Sequence, residues 1–183
     1  MNEKYKFITW GVVIVASLIG AITDVRKGII PNALTAPLVI IAFFFAFWTS
    51  GLSGLFNAFI GCLVLAVPYI MLFLFAGGGA GDAKMMAAIG SWVGFEQGLI
   101  VLLCVCISAV VLGFAKAFFK KQAKLLLSSI IVDIYTIIII LLGGKVRLKV
   151  DVNGQKGPGE LTMPYGFSIF AGVCLAGGYY LCI

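Results

Sequence analysis

Long apolar stretches separated by short polar or glycine-containing breaks dominate the chain. They lie at residues 7–23, 36–50, 54–76, 97–115, 125–143 and 164–182. A helix needs roughly 20 apolar residues to cross the hydrocarbon of a bilayer, and most of these stretches approach or reach that length. The pattern therefore predicts an all-α fold, a polytopic membrane helix bundle of about six transmembrane helices.

Two segments depart from this regular pattern. Residues 82–94 favour a helix, but a helix of that length reaches only about 20 Å, so it is short or enters from a water-filled recess. Residues 125–143 are apolar enough to insert, yet they follow a basic segment and contain Asp133 and Tyr135, which suit the headgroup region. We expect 125–143 to be interfacial or re-entrant, with a full crossing as the alternative.

The first stretch resembles a secretory signal because Lys4 and Lys6 precede it. It lacks a clear small-x-small exit, however, and it continues directly into charged residues, so we expect a retained transmembrane helix.

Composition agrees with a membrane protein, since 62% of the residues are hydrophobic and 11% are charged. We expect one membrane domain over residues 1–183, with a cytoplasmic or interfacial insertion at about 116–163. The net charge of +6 is explained by membrane topology and contact with anionic lipid, so no nucleic-acid partner is indicated.

The positive charges predict an orientation, because short cytoplasmic loops are enriched in lysine and arginine. If 125–143 does not cross, only Lys4 and Lys6 lie outside, and the remaining cations share the cytoplasmic side. These are Arg26, Lys27, Lys84, Lys116, Lys120, Lys121, Lys124, Lys145, Arg147, Lys149 and Lys156. If 125–143 crosses, the two sides become nearly equal. The charge rule thus favours the non-crossing topology with the amino terminus outside, and it places Asp24 and Asp82 at the cytoplasmic face.

Asp24 and Asp82 stand at the ends of hydrophobic segments in a chain with only seven acidic residues. An ionised carboxylate near a bilayer costs several kcal/mol unless it is paired or hydrated, so such acids are functional candidates; the alternative is that both lie in aqueous loops. Two close carboxyls can share one proton and cleave a peptide bond by activating water. Gly79 and Gly81 would let a substrate backbone approach, or would simply close a loop.

Several other chemistries are excluded by composition. Without histidine the chain cannot assemble a Ser-His-Asp triad or a histidine-ligated zinc site from its own residues. Its five cysteines lie in hydrophobic stretches without a Cys-x-x-Cys pair, which favours buried thiols.

Three motifs in order carry a family resemblance. They are Asp24-Val-Arg-Lys-Gly-Ile-Ile-Pro31-Asn32, then Gly79-Ala-Gly81-Asp82-Ala-Lys84, then Pro164-Tyr165-Gly166. The chain resembles the type IV prepilin peptidase family of Gly-x-Gly-Asp membrane aspartyl proteases. Its length resembles the small members that serve tight-adherence (Flp-type) pili and the archaeal preflagellin peptidases. It shows no cysteine-rich zinc element, so the resemblance implies peptidase activity without N-methyltransferase activity.

The resemblance implies that Asp24 and Asp82 are the catalytic aspartates of a multi-pass protein of the cytoplasmic (inner) membrane. The partners would be the bilayer and a prepilin or pseudopilin, whose basic leader is cut at the cytoplasmic face just before its hydrophobic helix. The resemblance implies no metal or organic cofactor. Oligomeric state stays open. Two alternatives also stay open: a non-catalytic membrane transporter or assembly protein, and a presenilin-like protease that cuts within membrane spans.

Neighbouring residues are predicted to bind substrate or shape the site. Pro31 and Asn32 suit a turn that starts the second helix. Lys84 could balance the carboxylates or reach lipid headgroups. Pro164, Tyr165 and Gly166 could bring the last helix against the site, or merely begin that helix with an interfacial tyrosine.

Helix termini suggest which carboxyl holds the shared proton. Asp82 is predicted to begin a helix, where the positive end favours an anion, and Asp24 to close one, where the negative end favours protonation. This predicts Asp82 as the base and Asp24 as the acid. Arg26 and Lys27 act against that assignment because they stabilise an Asp24 anion.

Overall fold

The computed structural model of the chain describes residues 3–76, 79–119 and 165–182, and within these ranges the fold is all-α. Its helices are α1 (Glu3–Lys27), α2 (Asn32–Ala76), α3 (Ala80–Phe119) and α4 (Tyr165–Cys182). The predicted all-α class is therefore confirmed for the described residues. The segment 125–143 and nearly all of the insertion predicted at 116–163 lie outside the described residues; residues 116–119 continue α3.

Three of these helices are long and apolar enough to cross a membrane, over Tyr5–Lys27, Asn32–Leu74 and Ala80–Gly113. A shorter apolar helix spans Gly166–Cys182. The predicted count of about six crossings is therefore not supported. Within the described residues, the predicted breaks near Gly51 and Gly94 are kinks with non-helical φ/ψ inside α2 and α3, and the predicted stretch 125–143 lies outside those residues.

Both breaks are local departures from helical geometry. Gly51 and Gly94 have φ of 62° and 75°, values that glycine tolerates far better than other residues. A Cβ on Gly54 would lie 2.7 Å from the Cβ of Ser50 and would overlap the carbonyl oxygen of Ala46. Residues eight apart stand about 12 Å apart along a straight helix, so α2 folds back on itself at Gly51.

The break in α3 is supported by a side chain of α2. The Phe95 main-chain N–H, just past Gly94, donates a 3.1 Å hydrogen bond to Asn57 Oδ1. A side-chain oxygen that accepts from the first amides of a helical segment acts as an N-cap. Asn57 therefore fixes where the second part of α3 begins.

The interface between α2 and α3 is the most extensive one among the described helices. The indole N–H of Trp92 donates to the carbonyl oxygen of Leu38 at 3.0 Å, and the Phe45 and Trp92 rings lie 5.4 Å apart. Gly61 and Gly90 bring the two backbones into direct contact. These contacts fix the first part of α3, which carries Asp82, against α2.

Helix α4 packs against both α1 and α3. Near its carboxyl end, Tyr180 stacks on Trp10 with ring centroids 5.5 Å apart. Near its amino end, Gly166 contacts Asp24. Helices α1 and α4 are therefore antiparallel, and the start of α4 lies beside the end of α1.

The burial pattern suits a bundle in lipid. Trp10, Leu65 and Met86 are fully buried between the helices. Large apolar side chains on the outer surface, such as Phe44 and Trp48, are 73% and 86% exposed. Extensive apolar exposure of this kind on helices long enough to span a bilayer marks a lipid-facing surface.

Candidate functional site

A cavity of about 400 Å³ lies where α1 ends and where α2 and α3 begin. Its lining consists of Asp24, residues 28–32, residues 79–82 and Lys84. The first two predicted motifs, which are remote in the chain, therefore meet at one place. Asp24 and Asp82 share this cavity.

Asp24 occupies the last turn of α1 and is half-buried. The helix ends three residues later at Lys27, because Gly28 adopts a φ of 65° and its N–H donates to the Asp24 carbonyl oxygen at 2.7 Å. A glycine with positive φ just past the last turn is a common helix C-terminus. The Asp24 carboxylate lies at this end of the helix, at the edge of the cavity.

Asp82 lies in the first turn of α3 and is 8% exposed. The glycines before it make room for its placement. A Cβ on Gly79 would lie 2.7 Å from Asp82 Oδ2, and a Cβ on Gly81 would lie 3.2 Å from the Cβ of Ile30. Any side chain at Gly79 would thus contact the carboxylate, and one at Gly81 would press on the α1–α2 connection.

Lys84 and Asn32 form the polar side of the cavity. The Lys84 ammonium donates a 2.9 Å hydrogen bond to Asn32 Oδ1. Pro31 directly precedes α2, and its carbonyl oxygen accepts from Leu34 N at 3.0 Å, as expected for a turn that starts a helix. Among the residues that the structure describes, Lys84 forms no ion pair with either aspartate, so its charge is held beside the carboxyls by Asn32.

The third motif reaches the site through its main chain. The Gly166 N–H donates to Asp24 Oδ2 at 2.9 Å. A Cβ on Gly166 would lie 2.9 Å from the Cβ of Asp24, so only glycine lets α4 approach this closely. Pro164 and the side chain of Tyr165 lie outside the described residues, although the Tyr165 backbone begins α4.

Four lining residues were missed by sequence reasoning, namely Gly28, Ile29, Ile30 and Ala80. Gly28 ends α1 beside Asp24, and its position just past the basic pair Arg26-Lys27 is a typical signal for a helix C-terminus. Ile30 is 4% exposed and packs against Gly81, but a single isoleucine in a connection carries no signal of that contact.

The arrangement suits acid–base chemistry by carboxyls. The structure offers, over its described ranges, no group of three or more His, Cys, Asp or Glu residues placed to hold a metal ion. The cavity brings together one buried carboxyl, one half-buried carboxyl and space for water and a main-chain segment. Such a pair can take a proton from water and give one to a carbonyl oxygen.

Comparison with known proteins gives one match. The model of the type IV leader peptidase family matches residues 11–114, which is more than half of the chain and includes both aspartates. Neither the curated proteins nor the solved structures compared with the chain gave a match. The matched range ends before α4 begins, so the contact of Gly166 with Asp24 is known from the structure and not from the family match.

Proposed function

Because this chain belongs to the type IV leader peptidase family, we propose that it is a membrane-embedded aspartyl endopeptidase with Asp24 and Asp82 as its catalytic pair. It removes the leader peptide of prepilin-like or preflagellin-like proteins. The observation that supports this function is that the two acids, from separate helices, line one cavity at the helix ends.

Catalysis follows from the shared position of the two carboxyls. Two like charges in one cavity resist ionising together, so the pair holds one proton near neutral pH. The charged carboxylate takes a proton from a water molecule, and the neutral carboxyl donates its proton to the scissile carbonyl oxygen. The reaction therefore needs no metal or organic cofactor.

The position of the cavity fits a substrate that is itself anchored in the bilayer. A leader precedes a hydrophobic helix, so the bond to be cut lies near the end of that helix. The exposed cations Arg26, Lys27 and Lys84 stand at the same end of the bundle as the cavity. By the charge rule this end faces the cytoplasm, where the leader of an uncleaved substrate lies.

The direct test is cleavage of a co-expressed prepilin by the wild type and by single variants. Asp24→Asn and Asp82→Asn are each expected to lower the cleavage rate by about 10²- to 10⁴-fold, because each removes one member of the acid–base pair. Both variants should still insert and accumulate. Glu96→Gln is the matched control, since Glu96 is an exposed acid on α3 outside the cavity.

The position of the cut separates the alternatives. Mass spectrometry of the mature product should place the cut just before the hydrophobic helix. A cut inside the substrate helix would favour a presenilin-like protease instead. Full cleavage by either asparagine variant would contradict the proposed pair, and uncut prepilin in the presence of wild-type protein would contradict peptidase function.

A further inference from the structure

We propose that the main-chain N–H of Gly166 is a positioning donor that keeps the Asp24 carboxylate charged, so that Asp24 is the base and Asp82 is the acid. This inference rests on the function proposed above and concerns the role of each carboxyl. It reverses the assignment that the ends of α1 and α3 suggest by themselves.

The surroundings of Asp24 favour its anion. Gly166 lies in the first turn of α4, where N–H groups have no partner within the helix, and its N–H is given to Asp24 Oδ2 at 2.9 Å. The start of a helix also carries partial positive charge. On α1 itself, Arg26 and Lys27 add positive charge in the same turn. All of these groups act against the negative end of α1.

The surroundings of Asp82 favour its neutral form. Its side chain is 8% exposed, and within the described residues no hydrogen bond reaches its carboxylate. The other groups at the cavity are Lys84 on α3, whose ammonium is held by Asn32, and the uncharged Asn32 on α2. The described part of α4 contains no Asp, Glu, Lys or Arg. A carboxyl without donors and largely withdrawn from water retains the proton of the pair.

The resulting steps balance. Asp24 takes a proton from water as the water oxygen bonds to the scissile carbonyl carbon, and Asp82 gives its proton to the carbonyl oxygen. The diol then collapses: the C–N bond breaks, Asp24 returns its proton to the leaving nitrogen, and Asp82 regains one from a diol hydroxyl. One water is consumed and both carboxyls return to their starting states.

A main-chain ester at residue 166 tests the donor without adding atoms. Cell-free synthesis into nanodiscs, with glycolic acid delivered by a suppressor tRNA, replaces the Gly166 N–H by an oxygen. The helix loses nothing, because an N–H in its first turn has no intrahelical partner. The control is the same ester at Gly178, an exposed residue of α4 with open space around it, where the ester removes an intrahelical N–H that is remote from Asp24.

The ester at 166 should lower kcat by about 10- to 100-fold with little change in KM, since hydrogen bonds to charged groups are strong. The acidic limb of the pH profile of kcat/KM should move to higher pH, because that limb reports protonation of the base. The ester at 178 should keep the wild-type profile. An unchanged kcat and profile at 166, or a shift confined to the basic limb, would overturn the inference.

A second comparison uses ordinary substitutions in cells. Gly166→Ala and Gly166→Pro both place a Cβ against Asp24, but only proline removes the N–H, and a first helical turn tolerates proline. Gly166→Pro should cleave prepilin at least about tenfold more slowly than Gly166→Ala. Equal rates would refute the donor role. If wild-type protein cleaves and the asparagine variants do not, such a refutation leaves the proposed function intact.

Discussion

Replacing Gly90 by alanine should damage both stability and cleavage. A Cβ on Gly90 would overlap the Gly61 carbonyl oxygen and would lie 2.7 Å from the Gly61 carbonyl carbon and 3.1 Å from the Cys62 Cα. These are backbone atoms, which cannot rotate away as a side chain can. Because non-bonded carbon atoms prefer about 3.5–4.0 Å, α2 and α3 must separate by roughly 1 Å.

The size of the effect follows from that separation. Overpacking of this kind typically costs about 1–3 kcal/mol of the free energy of unfolding. Asp82 lies eight residues before Gly90 in α3, about 12 Å away along the helix, so a shift of the helix also displaces the carboxyl. A displacement of about 1 Å in a catalytic group can lower the rate by roughly 100-fold.

The assay pairs thermal unfolding in nanodiscs with the rate of prepilin cleavage at equal protein concentration. Gly11→Ala is the matched control, because Gly11 also lies inside a helix and a Cβ added there would meet no neighbouring heavy atom within 4 Å. There alanine should be neutral or should stabilise by up to about 1 kcal/mol. If Gly90→Ala unfolds and cleaves as Gly11→Ala does, the helices do not meet as closely as described.

Three further predictions concern other contacts and the absence of metal chemistry. Asn57→Ala should lower the free energy of unfolding by about 1 kcal/mol, because the Phe95 N–H loses its hydrogen-bond acceptor. Calorimetry should show that Asn57→Asp, which keeps a side-chain oxygen, recovers this loss. Equal losses in both variants would contradict a capping role. Trp92→Phe should cost about 1–3 kcal/mol in denaturant unfolding, because the Leu38 carbonyl oxygen loses its indole donor; no change would mean that the bond is dispensable. EDTA should leave the rate of prepilin cleavage unchanged. If EDTA abolished cleavage and added metal restored it, the carboxyl mechanism would be refuted.

Sequence reasoning predicted the chemistry of the site from the rarity of acidic residues. In a chain with seven acidic residues, Asp24 and Asp82 at the ends of apolar segments stand out, and the structure places both beside one cavity. The helix boundaries next to them follow from local signals, such as the basic last turn of α1 and the glycines before α3. Helix boundaries and the chemical character of single residues can be inferred from the local sequence without knowledge of the fold.

Contacts between segments that are distant in the chain could not be predicted from the sequence in the same way. The described helices do not support the count of about six crossings. Gly51 and Gly94 each form a kink between two helical parts, and the sequence does not distinguish such a glycine from one inside a straight helix. The contact of Gly61 with Gly90 depends on which helices become neighbours. The hydrogen bond from Gly166 is donated by a main-chain N–H, which every residue except proline has. No pattern of side chains in the sequence could therefore predict it.

The bond between Gly166 and Asp24 joins groups 142 positions apart, and this separation has a consequence for biosynthesis. A nascent chain that has delivered α1, α2 and α3 to the bilayer already contains both acids but lacks α4. Under the proposed function, full hydrolytic power would arise only after α4 has been made and has packed beside α1. A shorter nascent chain would consequently pose little danger to other membrane proteins emerging beside it.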